Sequence, residues 1–135
     1  MKRYLFLMLV VLFYFAACSP SKNLDSDFNK CLKIVSDYDN TCHGTTDDTT
    51  LARFYFAIEY LGRITNIEAN IISYDVPYYD KRSDCKSDLR KWRKWYDENM
   101  DYLTQERSDS LKHEIAKDNI WWSDSTILQY VFEIE

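Results

Sequence analysis

Thr50-Leu51-Ala52-Arg53-Phe54-Tyr55-Phe56-Ala57-Ile58-Glu59-Tyr60-Leu61-Gly62-Arg63 is the stretch on which the fold turns. Leu51, Phe54, Ile58 and Leu61 fall three or four residues apart, so a helix places them on one face. Phe56 and Tyr60 widen that face, which predicts the most buried helix of the chain. Asp47, Asp48 and Thr49 precede it and carry the short oxygen-bearing side chains that accept from the open N–H groups of a first turn.

The same period recurs on either side. Leu24 to Tyr38 predicts a first helix, with Phe28, Cys31, Leu32 and Val35 in one stripe, and Asn40 to Thr46 a polar loop with Gly44 as its flexible point. From Thr65 to Arg82 the period weakens. Ile67, Ile71 and Ile72 suit a helical turn, and Asp75-Val76-Pro77-Tyr78-Tyr79-Asp80 an extended surface loop, because a residue before proline avoids the α region. Ser83 or Asp84 is placed to cap a third helix running to about Asn99. Its stripe is Cys85, Leu89, Trp92 and Tyr96, widened by Trp95, with Lys86, Arg90, Lys91, Arg93 and Lys94 on the opposite face. Ser108 to Lys117 predicts a fourth helix with Leu111 and Ile115 inward. Ser123 to Glu135 suits a helix, although Ile127, Val131 and Ile134 would also serve a terminal strand. Only 2 glycines and 2 prolines are present, too few for the turns of a sandwich or barrel. The expectation is a small all-α domain of four to five helices over residues 24–135.

The charge is −5 overall. Such a balance disfavours nucleic acid, whose phosphates need a basic face, and suits a cationic partner or simple solubility. The chain starts with Lys2 and Arg3, followed by 14 apolar residues from Tyr4 to Ala17. A bilayer span needs about 20, so the run reads as a secretory signal peptide. Phe15-Ala16-Ala17-Cys18 resembles a bacterial lipobox, with Phe15 in place of the usual leucine. That resemblance implies cleavage after Ala17, fatty acylation (palmitate among the chains) of Cys18, and residues 18–23 as lipidated cysteine and polar tether. It implies residence in the bacterial cell envelope, held to a membrane, the outer one, by the acyl chains. Leu61-x-x-Ile64-Thr65 with Trp92-x-x-Trp95-Tyr96-x-x-Asn99 is similar to the closing part of some bacterial HEAT-like repeats, over about 40 residues. Tyr96 departs from that pattern and no tandem copy follows. The likeness implies helical packing and, since such repeats are mostly scaffolds, a binding role.

Three further cysteines, Cys31, Cys42 and Cys85, allow one bridge and leave one thiol. If the first three helices run up, down and up, Cys31–Cys85 is one pairing, and Cys42–Cys85 is equally good. Asp37 to Asp48 has some EF-hand spacing, but Cys42 stands where the turn needs glycine and Asp48 where a bidentate glutamate belongs, so a solvated loop is preferred. Cys42-His43 lacks both the ligand number for zinc and a third orienting group for thiol catalysis. No Ser/His/Asp set, glycine-rich phosphate loop or carboxylate pair stands out, and neither a metal nor a cofactor is expected.

Trp92 and Trp95 have core spacing. Trp121-Trp122 and Tyr78-Tyr79 are different, because neighbours cannot share one face of a regular element. These four residues form the expected partner surface. The resulting expectation is a non-enzymatic, lipid-anchored protein-binding module, immunity- or inhibitor-like, with glycan binding through the same aromatics as the alternative and a Cys42/His43 thiol enzyme as a third.

Overall fold

The computed structural model describes residues 22–41, 48–73 and 77–118. They form a small all-α domain of four helices: α1 (Lys22–Thr41), α2 (Asp48–Thr65), α3 (Arg82–Asn99) and α4 (Gln105–Asp118). A single 3-10 turn, Met100–Tyr102, joins α3 to α4. Among the described residues no helix is long and apolar enough to cross a membrane.

Both predicted stripes on the first two helices are buried. Phe28, Cys31, Leu32 and Val35 of α1 meet Phe54, Phe56, Ala57, Ile58, Tyr60, Leu61 and Ile64 of α2, while Leu51 is half-buried. α2 is therefore the centre of the core. Fully burying one such side chain contributes about 1.5–3 kcal/mol, so this pair outweighs any surface interaction in the chain. Tyr38, near the end of α1, stacks on Phe54, near the start of α2, with ring centroids 3.9 Å apart and planes 16° from parallel. The two helices are thus an antiparallel pair.

α2 stops at Thr65 because Asn66 takes φ 56°, a left-handed conformation that asparagine tolerates and that commonly follows a helix end. The Thr65 hydroxyl donates to the Leu61 carbonyl at 2.6 Å and accepts the Ile67 N–H at 3.1 Å, which redirects the chain off the helix axis. The chain then runs back along the bundle. The helical turn expected at Ile67, Ile71 and Ile72 does not form. Ile72–Ser73 instead pairs antiparallel with Pro77–Tyr78, with Ile72 opposite Tyr78 and Ser73 opposite Pro77. Three isoleucines fit an extended edge as well as a helical turn, and too few residues follow to continue a helix stripe.

This return fixes the direction of α3. Tyr79, just before it, meets Phe54 edge-on at 6.2 Å, whereas Trp95 and Tyr96, in its second half, stack on Phe28 near the start of α1. α3 accordingly runs parallel to α2 and antiparallel to α1, which is not the up, down and up course on which the Cys31–Cys85 pairing depended. The consequence for the cysteines is direct. Cys31, one turn beyond Phe28, lies level with Trp92, and Cys85 is two turns, or about 10 Å, further along α3. Both are buried, and this offset keeps them from bridging one another, which corrects the Cys31–Cys85 pairing. Cys42 itself lies outside the described residues.

The predicted caps of α3 are also corrected. The helix begins at Arg82 behind Lys81, in extended conformation, and neither Ser83 nor Asp84 caps it. α4 begins three residues earlier than expected, since the Thr104 hydroxyl accepts the Arg107 N–H at 3.2 Å as a helix cap. Ile115 is fully buried and Leu111 half-buried.

Candidate partner surface

α4 lies across the end of the bundle where α1 starts and α2 finishes, held there by a polar seam. Ser108 Oγ lies 2.8 Å from the Tyr60 hydroxyl and donates to Asp27 Oδ2 at 3.1 Å. Lys112 Nζ donates to the same Asp27 oxygen at 2.7 Å and pairs with Asp109 at 2.8 Å. Gln105 donates to Asp109 at 2.9 Å. Serine, lysine, tyrosine and aspartate in mutual reach resemble the parts of a nucleophilic site. Ser108 is fully buried, however, so no substrate can approach its oxygen. The seam is a tie between helices. Its electrostatics say the same. Burial pushes the Tyr60 hydroxyl well above its ordinary range, and the Cys31 thiol is likewise raised, by burial first and by Asp27 second, so both stay neutral. Such a thiol is a poor nucleophile.

Lys112 and Asp27 are only 12 % and 15 % exposed, so their pairing is shielded from water. Burial lowers the Lys112 ammonium, but its hydrogen bonds to Asp109 and Asp27 more than offset this and its pKa ends raised. The hydrogen bond from Lys112 lowers the Asp109 carboxyl against a smaller opposing effect of burial. A raised lysine stabilises the fold fully below its ordinary value of 10.5 and loses that contribution as pH climbs through the folded value. A depressed aspartate stabilises above its ordinary 3.8 and loses that contribution as pH falls through the folded value. Urea midpoints measured across pH are therefore expected to be flat between these limits and to fall outside them. Lys112→Met should be less stable at neutral pH and show a shallower alkaline limb. An alkaline limb identical to the parent's would refute the seam's role.

Beside the seam, a cleft of about 560 Å³ opens between α2 and α4, lined by Arg63, Ile64, Thr104, Glu106, Arg107 and Leu111 among others. Arg63 closes one side by pairing with Asp118 at 2.7 Å and Glu59 at 3.0 Å. Its alternating charges neutralise one another and leave it without a dominant sign.

The opposite end of the bundle carries the hairpin. Pro77 is buried, Tyr78 is 40 % exposed, and Tyr79 is half-buried against Phe54. Of the two expected surface tyrosines, only Tyr78 faces outward to that degree; Tyr79 is partly a core residue. The period-2 alternation of a strand accounts for this division. Trp121, Trp122 and His43 lie outside the described residues, as do residues 1–21. Among the described residues, Tyr102 and Met100 of the 3-10 turn are the other exposed large apolar residues. Their position in a connection rather than a stripe gave no sequence signal.

Asp88 is the buried group that periodicity did not single out. It is 0 % exposed, accepts the Asn70 N–H at 2.6 Å, and pairs with Lys91 at 3.0 Å. Trp92, one turn on, donates its indole N–H to the Ile67 carbonyl at 3.0 Å. The two side chains clasp the returning segment onto α3 and so hold the hairpin in place. A carboxylate on the apolar side of a stripe otherwise occupied by Cys85 and Trp92 was the available clue.

Comparison with models of known protein families, with curated proteins and with solved structures finds no match to the chain.

Proposed function

We propose that the chain is a lipid-anchored protein of the bacterial cell envelope, on the outer membrane, whose helical domain binds another protein and catalyses no reaction. The observation that carries the binding role is Tyr78. A tyrosine held outward on a paired strand, between a buried proline and a core-packed tyrosine, loses little freedom on contact, and tyrosine is enriched among binding hot spots. The hairpin lies near the end of α1, about 25 Å along that helix from Lys22. An anchor at Cys18 would leave Tyr78 well clear of the acyl chains. The lipobox-like stretch supports the anchor. The likeness of the Leu61 to Asn99 region to HEAT-like repeats supports a scaffold. Net acidity accommodates a cationic toxin or hydrolase, as an immunity- or inhibitor-type protein would require.

The test is capture. The chain from Ser19, which contains every described element, is used as bait against envelope extract, alongside a Tyr78→Ala variant. One stoichiometric protein retained by the parent and depleted at least tenfold by the variant is the expected result. Surface substitutions away from such contacts change stability by no more than about 0.5 kcal/mol, so equal urea midpoints should accompany the loss. Retention unaffected by the substitution would remove Tyr78 from the interface.

A further inference from the structure

The 14 residues Lys81 to Lys94 hold seven lysines and arginines and two aspartates, a net +5, so the rest of the chain carries −5 − 5 = −10. Charge is segregated onto one helix face. Asp88 is buried and already pairs with Lys91, and Lys94 pairs with Glu98. Lys86, Arg90 and Arg93 are exposed and have no carboxylate partner among the described residues. With Ser83 they fall at i, i+3, i+7 and i+10, one stripe of α3 about 15 Å long. The Arg90 Nε donates to the Lys86 carbonyl at 3.3 Å, which fixes that guanidinium against the helix. Between these side chains lies a groove of about 420 Å³ whose apolar lining includes Leu89.

We propose that this stripe is a membrane-docking face that takes the anionic phosphate headgroups of the bilayer carrying the anchor. Three cations around an apolar patch match a headgroup layer, in which phosphates overlie glycerol and the first acyl carbons. The length of the tether agrees. α1 packs on α3, and packed helix axes lie about 8–10 Å apart, with the outer face of α3 roughly 5 Å beyond its axis. The start of α1 would then stand about 15 Å above the headgroups, and four Cα steps from Cys18 to Lys22 reach about 14 Å when extended. A domain so tethered cannot leave the headgroup layer, and only a face already near the membrane can exploit that confinement. This inference rests on the lipoprotein reading.

The test separates surface affinity from anchoring by using the unacylated chain from Ser19. It is sedimented with vesicles of phosphatidylcholine alone and of phosphatidylcholine with phosphatidylglycerol. Binding to the anionic vesicles only, weakened by salt, is expected, with at least a tenfold loss in Lys86→Glu/Arg90→Glu/Arg93→Glu. A Lys33→Glu control on exposed α1 should bind like the parent, and circular dichroism should show all three proteins folded. Equal binding to neutral vesicles, no binding to either, or an unaffected triple variant overturns the proposal and leaves the stripe to an acidic protein. Displacement by inorganic phosphate at matched ionic strength also overturns it, in favour of a discrete phosphate site. Palmitate labelling of the full chain and of Cys18→Ala in cells tests the anchor separately, so failure of either reading is distinguishable from failure of the other.

Discussion

Trp92→Ala is expected to lower the unfolding free energy by about 3–5 kcal/mol, the range for removing a fully buried large aromatic. Trp92 is the largest fully buried side chain among the described residues. Two losses coincide there. The indole fills the core level with Cys31, and its N–H is the hydrogen bond that holds the Ile67 carbonyl to α3. Against a total stability of roughly 5–15 kcal/mol for a domain, the variant should be marginal or unfolded at ambient temperature. Trp92→Phe keeps most of the apolar volume and loses the donor, so about 1–3 kcal/mol is expected. Urea unfolding followed by far-ultraviolet circular dichroism measures both, since the substitution removes a fluorophore. A Trp92→Phe loss equal to that of Trp92→Ala would show that the hydrogen bond, not the packing, dominates. A loss below 1 kcal/mol for Trp92→Ala would refute the packing described.

Asp88→Ala is the second large effect, at about 2–4 kcal/mol. A hydrogen bond to a charged group contributes about 1.5–3 kcal/mol, and breaking one side of a buried ionic contact costs more when its partners stay desolvated. The Lys91 end is half-exposed and can return to water, so the value should fall below the full buried-pair figure. The Asn70 N–H has no such escape. Asp88→Asn retains an oxygen for Asn70 and should recover more than half of the loss. Amide hydrogen exchange gives the local readout: Asn70 should exchange much faster in Asp88→Ala while Val35 and Phe54 change only with global stability. Unchanged protection at Asn70 would mean that Asp88 does not hold the return segment.

The parts of the fold that were legible are those where one helix face decides the outcome. Phe28, Cys31, Leu32 and Val35, and the Phe54 to Leu61 set, are buried because a 3.6-residue period leaves them no other option. The direction of α3 was not legible, because it depends on how many residues the chain spends returning from Asn66 to Lys81. Extended residues advance about 3.3 Å each where helical ones advance 1.5 Å. The Cys31–Cys85 pairing required an up, down and up course of the first three helices, which this return does not give. Asp88 escaped notice because a carboxylate in an apolar stripe is unremarkable unless its partner is known, and that partner is a backbone N–H 18 residues away. The basic stripe was visible as residue types, but the net charge of the whole chain masked its isolation.

The seal over Cys31 has a consequence for how the chain reaches its final state. A sulfur held neutral and wholly inside the core exchanges electrons with its surroundings only when the helices part. This thiol consequently needs no oxidant to reach its final state, and once the helices close over it, it is indifferent to swings in the oxidising power of its surroundings.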